Sequence, residues 1–473
     1  MTGSRLASGG RIDRSRTLAV SFDGTALTAH PGDTLASAIL AAGIRVTGSS
    51  VLLGRARGIM AAGSEEPTGI VQIDAPFPDP MRSAPAVEVL DGLVAAGLNG
   101  QGRLADTADP AVYDAVHHHC EVAVIGAGPA GLAAALAAAR TGVRVLLVDE
   151  QPAPGGSLLT DAETEWAARL SAQLAQFPTV TQLARTTVIG YYHDNFLIAV
   201  QRRTDHHGHG LTEDAAQQRL WRIRAAEVVL ATGAHERPIV FAGNDAPGVM
   251  LAESVRTYLL RYGVLAGDRV VLFATHDDAY RVAGDLLAVG AHVIIVDPRT
   301  PTGQPAESWT GEIPTGTVLA GAVVSGTRCG ADGALIAVAV RAEDGVVVEV
   351  PADVLAVAGG WNPALQLYSQ AGGTLEFSEP VGAFVPAGAA QRVTVAGSAG
   401  GLRLTREVVD DGERAGAAAA EAAATGRLAR VARAHGYVDA GVRRWTSRRT
   451  TRPTRSRRSR CTWWPSRART RPP

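Results

Sequence analysis

Three glycines at fixed spacing, Gly126, Gly128 and Gly131, stand between an apolar run and an alanine-rich stretch, and the acidic pair Asp149-Glu150 follows 18 residues after the last of them. These residue types in this order could capture phosphate and ribose. Gly126 permits a tight turn, Gly128 lets backbone approach a pyrophosphate, and Gly131 lets a helix lie close against a strand. Pro129 and Ala130 sit within the turn. A helix starting here offers free N–H groups and a partial positive charge to the phosphates. An acid closing the next strand is placed to accept ribose hydroxyls. The spacing alone is weak, but the context is complete: an apolar strand at 122–125, a helix at 132–140 and a second strand at 143–148. The chain is read as a binder of an adenine dinucleotide.

Other elements must close that site. Pro154-Gly155-Gly156-Ser157 lies just past the acids, where a second glycine-rich turn can approach the cofactor. Residues 186–192 read as a third parallel strand. The strand that begins at Glu227 ends in Thr232-Gly233, an ordinary strand end by itself. About 100 residues after the fingerprint, it fits a two-dinucleotide-domain flavoprotein layout. Residues 354–360 and 393–398 read as strands returning to the first domain, the latter ending in Gly397-Ser398, and 406–434 suits a closing helix. Between them, 268–274 opens a second βαβ unit without glycines. Its turn reads Ala274-Thr-His276-Asp277-Asp278-Ala-Tyr280. Two carboxylates and a tyrosine there oppose a pyrophosphate, so the unit is read as architecture whose nucleotide site is lost.

Upstream, Leu18–Phe22 and 25–28 flank Asp23-Gly24, a strong hairpin signal. Pro31-Gly-Asp33-Thr34 then starts a helix that stops at Gly43. Hairpin followed by helix is how a β-grasp domain begins. The expected fold is α/β: a β-grasp domain with its linker over 1–110, then a two-dinucleotide-binding-domain, Rossmann-type flavoprotein-like fold. The dinucleotide-binding domain takes 115–262 and 351–437, the degenerate Rossmann-type domain takes 263–350, and a tail follows at 438–473.

Composition narrows the function. Hydrophobic content of 46% with 19% charged residues is that of a globular protein. No apolar run is long enough to span a bilayer, and 1–16 is polar and basic, so no membrane or secretory role is expected and the cytoplasm is the default. Cys120, Cys329 and Cys461 are too few and too scattered for a disulfide framework or a zinc site. His117-His-His119-Cys120 alternates faces on entering a strand, so these side chains cannot converge on a metal. Without Cys-x-x-Cys a disulfide reductase is disfavoured. No nucleophile–base arrangement stands out, so the catalytic residues stay unassigned. All 45 basic residues are arginine, and twelve fall in 441–473, where there is no acid. A basic arm for nucleic acid is one explanation. A GC-rich reading frame that has shifted accounts better for a tail of Arg, Pro, Ser, Thr and Trp without hydrophobic period, and no nucleic-acid partner is expected.

These residues resemble the α subunits of heterotetrameric sarcosine oxidases and, more broadly, the corresponding subunits of amine- and opine-oxidising complexes. The resemblance runs from Gly10-Arg-Ile-Asp-Arg-Ser-Arg16 to about residue 437. Its most specific pieces are that opening, Pro31-Gly-Asp-Thr-Leu-Ala-Ser37, Arg57-Gly-Ile-Met-Ala-Ala-Gly-Ser-Glu65-Glu66-Pro67, His118-His-Cys120 and the degenerate turn 274–280. It implies NAD in the first Rossmann domain, held by Ala130, Asp149, Glu150, Gln151, Ser157, Val188 and the turn from Gly397 to Leu402. It also implies a β subunit with FAD and the sarcosine site, an FMN shared at the α/β boundary, γ and δ subunits, and a folate-binding second half of α.

Several features depart from that pattern. Gln151 stands where the family has an arginine-like side chain, and Gly54 where relatives have a basic or imidazole one. The folate-binding half is expected to be missing, since the resemblance stops near residue 437. Related β-grasp domains carry a [2Fe–2S] cluster on four thiolates, and 17–97 has no cysteine, so no iron–sulfur cluster is expected. Ser398, where FAD enzymes of this layout place an aspartate, favours NAD over FAD. The expected function is the NAD-binding subunit of a sarcosine oxidase that demethylates sarcosine to glycine and produces peroxide. The alternatives are an FAD-dependent NAD(P)H oxidoreductase, an opine or amine dehydrogenase subunit, and a non-catalytic scaffold. The isolated chain, lacking a flavin ring as hydride acceptor, is expected to be inactive.

Overall fold

The computed structural model describes residues 4–160, 164–207, 216–299 and 317–425; the expected tail at 438–473 lies outside them. The N-terminal domain is a five-stranded mixed sheet in the order 25–29, 18–22, 93–97, 70–75, 79–83, with the helix Leu35–Ala41 on one face. Asp23-Gly24 turns the first hairpin, pairing Phe22 with Thr25. Thr34 caps the helix by accepting from the Ser37 N–H while the Ser37 hydroxyl accepts from the Thr34 N–H. Reciprocal capping satisfies two N–H groups that a helix start leaves open.

The dinucleotide-type sheet is parallel at its centre: Val180–Leu183, Val145–Val148, Tyr113–Ile125 and Gln218–Leu230, with Val393–Val395 beside the last of these. Two sequence expectations need correction here. The third parallel strand is Val180–Leu183, whereas Thr186–Tyr192 turns back as an antiparallel hairpin with Phe196–Arg202. Tyr113–Ile125 is also much longer than the strand expected at 122–125. His118 packs edge-on to Trp221 on the neighbouring strand, and burial pushes the Cys120 thiol up to about 12.

A second parallel sheet runs Val249–Leu251, Val354–Ala358, Arg269–Ala274, His292–Asp297, Val318–Ala320. Val354–Ala358, expected in the first domain, therefore lies inside the sheet of the second, between Val249–Leu251 and Arg269–Ala274. Placing it there buries all five of its residues. The chain passes between the domains on two paired short strands, Ala234–Glu236 and Trp361–Pro363. A three-stranded antiparallel sheet, 323–351, covers one face of the second domain. The N-terminal domain covers the other: Leu35 and Ile39 share one core with Tyr258, Leu259 and Leu286. No helix among the described residues is long and apolar enough to cross a membrane.

Candidate dinucleotide site

The first glycine turn is closed by backbone contacts that leave no room for side chains. A Cβ on Gly131 would lie 1.7 Å from the Gly126 carbonyl oxygen, and one on Gly126 would lie 2.3 Å from that of Ala231. Gly126 has φ of +101°, which L residues rarely adopt. The helix Pro129–Ala139 starts from Gly128, which gives no side-chain cap, so its first-turn N–H groups remain open to a ligand. Gly156 approaches from the following loop, where a Cβ would stand 2.9 Å from the Gly128 Cα. Gly155 N–H fixes that loop on the Ala127 carbonyl at 2.9 Å. Gly397 closes the far side: its Cβ would meet the Ala130 Cβ at 2.7 Å, and its N–H donates to Asp411 at 2.8 Å.

The acids divide their work. Asp149 accepts from the Ala127 N–H at 2.5 Å and from the Gln151 N–H at 2.7 Å, so both its oxygens brace the turn. Burial, helped by the adjacent Glu150, pushes its pKa up to about 6, although the two N–H bonds pull the other way. Glu150 faces outward and accepts from the Ser64 hydroxyl at 3.0 Å.

Sequence reasoning missed this contact from the N-terminal domain. Glu66 makes it possible, gathering the N–H groups of Met60, Ala61, Thr68 and Gly69 at 2.5–2.8 Å and so shaping the 57–67 loop. The signal was the quoted motif itself, Arg57 to Pro67, which had no assigned task.

The remaining named positions separate. Gly126, Gly128, Pro129, Ala130, Gly131, Asp149, Gln151, Gly156 and Gly397 meet around the helix start. Ser157 is exposed on the short helix 156–160 and Ser398 lies in the turn 397–400. Leu402 packs partly buried beside the helix core. Val188 lies at a bulge in the antiparallel hairpin, whose first residue, Thr186, bonds the Asp149 carbonyl at 2.7 Å. Thr232 spends its hydroxyl on the Ala364 carbonyl at 2.7 Å, and Gly233 accepts from the Ala364 N–H; both tie the interdomain crossing together.

The corresponding turn of the second domain is filled from within. Asp297, at the ribose-acid position, holds the Arg299 guanidinium at 2.7–3.3 Å and accepts the Tyr280 hydroxyl at 2.9 Å. Arg299 also bonds Asp277 at 2.7 Å. Asp277 is thus ion-paired, and what blocks this turn is an internal Tyr–Asp–Arg plug more than bare negative charge.

Fold and site together define a two-dinucleotide-domain oxidoreductase architecture carried behind a ferredoxin-like domain. Residues 15–100 match the family described as 2Fe-2S iron-sulfur cluster binding domain, and 120–305 match pyridine nucleotide-disulphide oxidoreductase. The chain is 45% identical over 442 residues to the sarcosine oxidase subunit alpha of Corynebacterium sp. (strain P-1), covering 90% of this chain and 45% of that protein. It is 37% identical over 459 residues to the one from Rhizobium meliloti (strain 1021), covering 84% of this chain and 45% of that protein. The L-proline dehydrogenase structure from P. horikoshii superposes with a TM-score of 0.66 at 22% identity, covering 88% of this chain and 75% of that one. The chain is a relative of the sarcosine oxidase α subunits, and it spans about half the length of those it matches.

The first match corrects the expectation that iron–sulfur chemistry has no place here: the N-terminal domain is related by sequence to cluster-binding domains. Counting thiols reports on ligands, whereas the match reports on the pattern of strands and turns. Cys120, Cys329 and Cys461 lie outside 15–100. No ligand is therefore assigned within the matched range.

Proposed function

We propose that this chain is the NAD-binding subunit of a cytoplasmic sarcosine oxidase complex, with β, γ and δ chains as partners, that demethylates N-methyl amino acids and produces peroxide. The close-packed turn from Gly126 to Gly131 carries the reading. Its backbone leaves the open first-turn N–H groups for a pyrophosphate. Because Asp149 is committed to Ala127 and Gln151, the ribose hydroxyls fall to Glu150, which Ser64 orients. Ser398 after Gly397 supports NAD over FAD, since a ribityl chain would find no carboxylate at that position. Bound NAD supplies a nicotinamide ring able to exchange a hydride. In the overall reaction, the N-methyl carbon loses two electrons to dioxygen, giving peroxide. Water then splits the resulting imine into the amino acid and formaldehyde.

Denaturing the purified full chain and weighing the released ligand tests this. Stoichiometric NAD is expected, and stoichiometric FAD would overturn the reading. The isolated chain should yield no sarcosine-dependent peroxide, and peroxide should appear when the partner chains are co-expressed.

A further inference from the structure

A second cluster of polar side chains lies where the interdomain crossing meets the second-domain turn. The Thr275 N–H and hydroxyl both bond the Ala358 carbonyl, at 3.2 and 2.7 Å, which sets His276 beside Gly359-Gly360-Trp361. Arg237 comes from the paired strand: its N–H bonds the Gly360 carbonyl at 2.8 Å, and its guanidinium lies against Gly360, 3.0 Å from where a Cβ would stand. Arg403 arrives from the turn after Gly397 and lies over the Trp361 ring at 5.3 Å. The cluster thus gathers two guanidiniums, one imidazole and one indole face around a glycine floor.

These groups are short of acceptors. Arg237 Nε and His276 Nε2 are buried without a hydrogen-bond partner. The Arg237 guanidinium has one bond, to the Gly382 carbonyl at 3.1 Å. Arg403 forms no ion pair among the described residues; Asp278 faces it without closing one. Glu236, the nearby buried carboxyl, accepts from the Glu253 N–H at 2.7 Å through one oxygen. Burial and the neighbouring carboxylates Glu253 and Glu65 keep Glu236 well above the usual carboxylate range, although Arg403 pulls the other way. Partial burial of its guanidinium and the charge of Arg237 lower Arg403 to about 10, against the pull of the carboxylates Asp278 and Glu236.

We propose that Arg237, Arg403 and His276 form an anion site for a phosphate group, distinct from the dinucleotide turn, with Trp361 as a wall for whatever the phosphate carries. Two forked guanidiniums and a ring nitrogen can together serve three terminal oxygens, which a phosphate offers and a carboxylate does not. The free ion and a phosphate monoester share this chemistry.

The test uses the full chain, with ³¹P line broadening and calorimetry against inorganic phosphate and phenyl phosphate, with and without saturating NAD. Saturable binding of phosphate that persists under NAD is expected. Tighter binding of phenyl phosphate assigns the site to an ester stacked on Trp361, and equal binding assigns it to the free ion. R403Q changes a residue that is exposed overall and only partly covered at its guanidinium, so it should leave the melting temperature unchanged while weakening phosphate roughly tenfold or more. H276N should weaken it less. Absence of saturable binding, binding unaltered in both variants, or displacement of phosphate by NAD would each overturn the proposal. None of these outcomes bears on whether the released dinucleotide is NAD, so the two readings fail separately.

Discussion

Asp149 is expensive to ionise where it stands, because its carboxylate is shielded from water and lies beside Glu150. Its pKa moves from an ordinary 3.8 to about 6. Between those values the folded protein holds a proton that the unfolded chain has released. Its contribution to stability is therefore fully present below about pH 4 and is lost as pH rises through about 6. Denaturant unfolding at several pH values should show this slope, and D149N should flatten it while lowering stability overall, since an amide can accept only one of the two N–H bonds. An unchanged slope in D149N would assign the titration elsewhere. At this scale the glycines, Asp149 and Gln151 were legible because their spacing is local. The partner of Glu150 was not, because Ser64 lies 86 residues away and nothing local marks it. The chemistry of Arg237 and Arg403 was equally hidden, since whether an arginine closes an ion pair shows only once the chain is folded.

Among elements, the helix Pro129–Ala139 and the closing helix Thr405–Thr425 come together through small residues. A Cβ on Gly412 would lie 2.2 Å from the Ala130 carbonyl oxygen, and one on Gly416 would lie 2.0 Å from that of Ala134. Both obstacles are backbone, so relief requires the helices to separate. Replacing an interior glycine by alanine gains about 1 kcal/mol of helix propensity, whereas forcing bulk into a closed contact typically costs about 1–3 kcal/mol. The contact should win, and G416A is expected to lower the unfolding midpoint. It should also weaken NAD, because Asp411 on the same helix holds the Gly397 N–H at 2.8 Å. Denaturant titration and NAD titration check this; a higher midpoint in G416A would show that the helices are not in such contact. The alanine-rich pattern disclosed both helices but not their contact. Strand identity misled at two places for one reason. Residues 186–192 and 354–358 carry apolar patterns that suit any sheet, and pairing direction and sheet membership depend on partners far along the chain. The short, half-polar Val180–Leu183 gave no signal to compete.

At the scale of the whole molecule, the degenerate second domain earns its place as the other half of the N-terminal domain's core. Leu35 and Ile39 of the capped helix are fully buried in one cluster with Val255, Tyr258 and Leu259 of the helix Ala252–Tyr262. The Tyr258 hydroxyl crosses to the Ala61 carbonyl at 2.9 Å, and Arg5 clamps the buried Asp33 at 2.8–2.9 Å while bonding the Tyr262 carbonyl. On the other side, Arg185 and Arg202 hold Glu88 against the dinucleotide domain, keeping its carboxyl below its usual range despite burial. The N-terminal domain is thus bound to both Rossmann units, which restrains rotation about the paired crossing strands. Domain order was legible from motifs, but this shared core was not, because apolar periodicity shows which face is buried and not against what. If the core is shared, damage on one side must be felt on the other. I39A deletes a fully buried side chain at a cost of about 2–5 kcal/mol. Hydrogen exchange measured by mass should then quicken in the amides of 252–262 as well as in the 18–97 sheet, while those of 129–139 stay protected to the same degree. Faster exchange confined to 18–97 would show that the N-terminal domain folds on its own and merely rests on the second domain.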